Sequence, residues 1–65
     1  MLNPVEEYFV VGMKAGRAMR QGDAATAAFH RHWLTEAKAL ERDDDKGKAD
    51  EAYRDGYRKG AARGH

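Results

Sequence analysis

The sequence predicts an all-α fold: an antiparallel helical hairpin plus a third C-terminal helix, assembled as a homodimer. Three observations predict it. Apolar and small residues recur at helical spacing in three stretches. Helix stop and start signals lie between those stretches. No alternation of apolar and polar residues marks a strand. The 65 residues allow a single small helical domain over 1–65, with helices expected at about 4–21, 24–42 and 48–62.

The first helix opens at Asn3-Pro4, a good N-cap followed by the residue favoured at the first helical position. Glu6 and Glu7 fall in the first turn, where the helix dipole favours acids. Val5, Tyr8/Phe9, Gly12, Gly16 and Met19 form its apolar and small stripe. Arg20 and Gly22 are stop signals. The second helix is capped by Asp23, and Ala25, Phe29, Trp33, Ala37 and Leu40 make one apolar face. The link Gln21-Gly22-Asp23 is short enough to fold the two helices back on each other.

The stretch "ERDDDKGKADE" at 41–51 holds one apolar residue, Ala49, and cannot be core. Three aspartates at a helix C-terminus would oppose the dipole, so the second helix is expected to end near 42–43. A solvated acidic turn follows, and a new helix is capped from Asp44, Asp45 or Asp50. The rival is one long exposed helix running through this stretch. The third helix presents Ala49, Ala52/Tyr53, Gly56, Gly60 and Gly64 on one side, with Tyr57 beside them. Arg54, Arg58 and Lys59 lie elsewhere on its wheel.

Glycine at the period of a helix needs a reason. Each mid-helix glycine costs about 0.5–1 kcal/mol relative to alanine, so Gly12, Gly16, Gly56 and Gly60 together cost roughly 2–4 kcal/mol. Both pairs stand in similar contexts, "EEYFVVGMKAG" at 6–16 and "DEAYRDGYRKG" at 50–60. The offsetting gain expected of these four glycines is close helix packing. The simplest arrangement lays helices 1 and 3 on helix 2, with Trp33, Phe29 and the tyrosines filling the glycine notches.

A core this small supplies only about 3–5 kcal/mol. The chain has no cysteine, hence no disulfide and no Cys/His zinc pattern. Idealised packing or oligomerisation is left. Tyr8, Phe9, Val10 and Val11 cover all sides of helix 1, whereas a three-helix monomer buries about one face per helix, so these four are the expected self-association residues.

No catalytic, cofactor or metal site is expected. Serine is absent, and Thr26 and Thr35 have no neighbouring base. His30 and His32 stand about 200° apart on a helix wheel. His32 and Glu36 share a face, but two ligands do not make a site. Asp43, Asp44 and Asp45 lack the alternating acids of a calcium loop. The N-terminus has no basic leader, and the apolar run 8–13 is too short for a membrane span of about 20 residues, so no membrane partner is expected and the location is cytoplasmic.

Charge is blocked along the chain: net −2 over 1–12, +3 over 13–22, −3 over 41–51 and +3 over 52–65. The expected function is a non-enzymatic protein–protein interaction module, an adaptor or inhibitor of another protein. Its partner-binding candidates are Trp33, Tyr53, Tyr57, Arg54, Arg58 and Lys59. The alternative is a small nucleic-acid-binding regulator, since Arg54, Arg58, Lys59 and Arg63 with two tyrosines can bind phosphates and stack bases. The acidic block at 41–51 argues against it.

Two resemblances bear on this expectation. Gly22-Asp23 at a turn, Ala27 behind it, and Ala52-Tyr53 with Gly56 opening a following helix resemble a tetratricopeptide-type helix pair, which implies a peptide-binding groove. In size and charge the chain also resembles the small helical accessory proteins of bacteriophages, which implies binding of a host protein.

Overall fold

The structure, a computed structural model, describes residues 4–62. Asn3, Arg63 and Gly64 lie outside the described residues. Three helices follow one another, α1 (Pro4–Arg20), α2 (Ala24–Ala39) and α3 (Asp43–Ala61), with no strand among the described residues.

The α1–α2 link is a built turn. Gly22 takes φ +78, the left-handed region that glycine enters at no steric cost. Its N–H donates to the Met19 carbonyl at 3.0 Å, and the Asp23 N–H donates to the Ala18 carbonyl at 2.8 Å. That pair of bonds is the Schellman closure of α1. Asp23 then caps α2: Oδ1 accepts from the Thr26 N–H at 3.1 Å, and Oδ2 accepts from the Thr26 hydroxyl at 2.6 Å. The chain reverses here, which brings the Trp33 ring in α2 back to 5.6 Å from the Tyr8 ring in α1.

The break between α2 and α3 falls earlier than expected. α2 ends at Ala39, and α3 begins at Asp43 rather than near 48. Asp43, Asp44 and Asp45 are not a turn but the first turn of α3, where the dipole that would reject them in α2 favours them. None of Asp44, Asp45 or Asp50 is the cap: Arg42 holds that position without a side-chain cap bond.

The expected arrangement of α1 and α3 on an α2 platform is corrected by the packing. α1 and α3 run parallel and touch backbone to backbone. A Cβ on Gly12 would overlap the Tyr53 carbonyl oxygen and lie 3.0 Å from the Tyr57 nitrogen. One on Gly56 would overlap the Phe9 carbonyl oxygen and lie 2.9 Å from the Met13 nitrogen. A Cβ on Gly16 would overlap the Tyr57 carbonyl oxygen and lie 2.8 Å from the Ala61 nitrogen; one on Gly60 would overlap the Met13 carbonyl oxygen and lie 3.0 Å from the Arg17 nitrogen. The contacts of one helix repeat on the other at an offset of 44 residues, the separation of Gly12 from Gly56 and of Gly16 from Gly60. The seam is thus a pseudo-two-fold pair. Backbone, not aromatic rings, fills the glycine notches. Each glycine hydrogen that replaces a Cβ points at a carbonyl oxygen, the geometry of Cα–H···O contacts.

The core beside this seam is made of small side chains: Ala15, Ala18, Ala27, Ala49 and Ala52, with Tyr8 the one large buried residue among the described residues. Trp33, Leu34 and Ala37 of α2 and Phe9 of α1 pack against Tyr8, Ala49 and Ala52. Lys38 Nζ meets Asp50 Oδ1 at 2.9 Å and ties α2 to α3. The apolar face expected on α2 is split. Trp33 and Ala37 turn inward, but Phe29 is 65% exposed and Leu40 89%. The inward face is instead Ala27, Trp33, Leu34 and Ala37, because a seam of glycine and alanine offers α2 only a shallow groove.

Candidate interaction surfaces

Parallel α1 and α3 have an electrostatic consequence. Their N-terminal ends lie together, with the C-terminal end of α2 beside them. This end collects Glu6, Glu7, Glu41, Asp43, Asp44, Asp45, Asp50 and Glu51 against Lys38, Arg42, Lys46 and Lys48, a net −4. The opposite end collects Lys14, Arg17, Arg20, Arg58 and Lys59 against Asp23, a net +4. Arg31, Glu36, Arg54 and Asp55 lie between and cancel. The four charge blocks of the sequence thereby become two, at the ends of a body 34 Å long. At the basic end, Arg20 Nη1 donates to the Ala62 carbonyl at 2.7 Å and closes the last turn of α3 from across the seam. Lys59 Nζ lies 5.7 Å from the Phe9 ring centre, a cation–π contact that joins the same two helices.

At the acidic end the Tyr8 hydroxyl donates to Glu41 Oε1 at 2.9 Å. Burial first, then this hydrogen bond and the charges of Glu41 and Glu7, push the Tyr8 hydroxyl up to about 12. Its ring and hydroxyl are both engaged inside the monomer. Beside it a 360 Å³ cavity is lined by Val5, Tyr8 and Ala49 together with the carboxylates of Glu6, Glu41 and Asp45 and by Lys48.

The other expected site residues fall as follows. Gly12, Gly16, Gly56 and Gly60 meet at the α1–α3 seam. Phe9, Val10 and Val11 are each half-buried. Tyr53 and Tyr57 are half-buried, their rings 6.3 Å apart, and burial raises the Tyr53 hydroxyl against the opposing charge of Arg31. Trp33 is half-buried on Tyr8. Arg54, Arg58 and Lys59 are exposed, and Arg58 leans to Asp55 at 3.6 Å. The His32–Glu36 pair is exposed at 3.1 Å. No group of three potential metal ligands gathers among the described residues. Among the same residues no helix is long and apolar enough to cross a membrane.

Sequence reasoning missed the exposed side chains Phe29 and Leu40 as surface features. Their helical spacing with Trp33 was visible, but the side to which α2 would turn was not. No protein-family model, curated protein or solved structure matches the chain, so the tetratricopeptide-like spacing carries no family assignment.

Proposed function

We propose that this chain is a small, non-enzymatic protein–protein interaction module, an adaptor or inhibitor, which works in the cytoplasm as a homodimer. Its basic end docks on an acidic surface of another protein. The observation that supports this reading is the gathering of Lys14, Arg17, Arg20, Arg58 and Lys59 at one end of the molecule, drawn from two helices held rigidly by a backbone seam. A preorganised charged patch raises association rates and rejects like-charged partners. A phage-type accessory protein would use such an end on a host protein.

A nucleic acid is the rival ligand of the same end. The acidic end is against it, because a duplex lying along the molecule would meet the net negative half. The test uses the chain as bait in lysate beside the Arg17→Glu, Arg58→Glu double variant, with circular dichroism to show that both are folded. The reading expects a protein captured by the parent and lost by the variant. A duplex mobility shift that weakens steeply with salt, with no protein captured, would overturn it in favour of phosphate binding.

A further inference from the structure

We propose that the flank of the α1–α2 hairpin is the homodimer surface, and that a second copy covers it in antiparallel orientation. This rests on the homodimer in the reading above and assigns it a face. On α2 and its C-cap the face is Phe29, Trp33 and Leu40, at i, i+4 and i+11, one helical stripe. Phe29 and Leu40 are the most exposed large apolar side chains of the described residues, at 65% and 89%. Leu40 and Trp33 share a 200 Å³ groove with Glu7 of α1. Glu7 is followed at i+4 and i+7 by Val11 and Lys14, which continue along the same line of α1. Climbing α1 from Tyr8 to Lys14, about 9 Å, and descending α2 from Trp33 to Phe29, about 6 Å, run the same way, and set Lys14 about 3 Å beyond the level of Phe29. The face therefore reads, from end to end, acid beside Leu40, apolar centre, and base just past the level of Phe29.

Such a face is complementary to itself under a two-fold axis, as an isologous interface must be. Turned end for end, a second copy sets its Lys14 against Glu7 and its Leu40 against Phe29. The same rotation lays the net −4 end of each molecule beside the net +4 end of the other. A parallel copy would instead pair like ends. A standard interface takes about 800 Å² from each partner, roughly a sixth of the 4823 Å² of this monomer. A side face of a body 34 × 22 × 21 Å is of that size.

Sedimentation equilibrium tests the proposal with the full chain. Phe29→Glu, at an exposed position, should leave the helices intact and raise the dimer dissociation constant at least about tenfold. Glu7→Lys alone and Lys14→Glu alone should each weaken the dimer, because each sets like charges opposite one another twice. An equal mixture of the two should dimerise again, since every facing pair becomes opposite in sign. A parent that stays monomeric at high concentration overturns the dimer reading altogether. A parent dimer that Phe29→Glu leaves unchanged, with no recovery in the mixture, overturns this face alone.

Discussion

Two glycine-to-alanine substitutions, chemically identical, should move stability in opposite directions. Gly47 lies inside α3 with nothing within 4 Å of the position its Cβ would take. Alanine there gains helix propensity of about 0.5–1 kcal/mol and meets no atom. Gly56 has the same propensity to gain. Its Cβ, however, would overlap the Phe9 carbonyl oxygen and lie 2.9 Å from both the Phe9 carbonyl carbon and the Met13 nitrogen. These are backbone atoms of a hydrogen-bonded helix, so no rotamer can turn aside. α1 and α3 must separate, and the contacts at Gly12, Gly16 and Gly60 loosen with them. Overpacking of this kind costs about 1–3 kcal/mol. Because the propensity gain is common to both, the two variants should differ by the overpacking cost, about 1–3 kcal/mol. For a domain of this size each kcal/mol shifts the melting temperature by about 4–8 °C. Thermal melts by circular dichroism would show Gly47→Ala above the parent and Gly56→Ala well below it. Both variants melting above the parent would refute the seam and leave the glycines without a purpose.

Further expectations can be read from the same melts and from titrations. Gly56→Leu should not fold to a cooperative state, because a branched side chain has no space between the two backbones. Gly22→Ala should cost about 1–2 kcal/mol, since it forces a Cβ into the left-handed region at φ +78. Tyr8 ionises at about 12 in the folded chain, above its ordinary 10, so its contribution is complete below pH 10 and is lost as pH rises from 10 to 12. Phenolate absorbance should show a late ionisation near 12, and Tyr8→Phe should remove that last step. Asp23 is held below its ordinary value by the Thr26 hydroxyl and then the Thr26 N–H. Its share of stability is therefore present above the ordinary carboxylate range and lost as pH falls through its folded value. Asp23→Ala should flatten that acid limb of the melt.

The helices were legible because their signals are local. Proline and two glutamates start α1, glycine ends it, and aspartate caps α2. The start of α3 was misplaced because the same three aspartates read as a turn or as a first helical turn, and only the chain that follows decides. The face of α3 was legible too: Ala49, Ala52, Gly56 and Gly60 are buried along it. The direction in which α2 turns was not. Phe29 and Leu40 share a helical stripe with Trp33, so periodicity could not separate the ring that packs on Tyr8 from the side chains left outside. That choice belongs to the shape of the α1–α3 groove, and the groove follows from the glycine register rather than from any feature of α2.

The glycine register also explains why the charge pattern is blocked. Two parallel helices that each begin acidic and end basic place their like ends together, which repels. The short separation enforced by glycine makes that repulsion larger, since Coulomb energy rises as distance falls. A sequence selected only for the stability of this pair would interleave its charges or reverse one helix. Here both helices keep the same polarity: Glu6 and Glu7 start α1 and Arg17 and Arg20 end it, while Asp43, Asp44 and Asp45 start α3 and Arg58 and Lys59 end it. Part of the arrangement is repaid locally, because acids at N-termini and bases at C-termini suit each helix dipole. The remainder is a molecule with two opposite ends: in the proposed dimer an antiparallel second copy would set each beside its opposite along the α1–α2 flank, leaving Arg58 and Lys59 of α3 off that flank for an acidic partner.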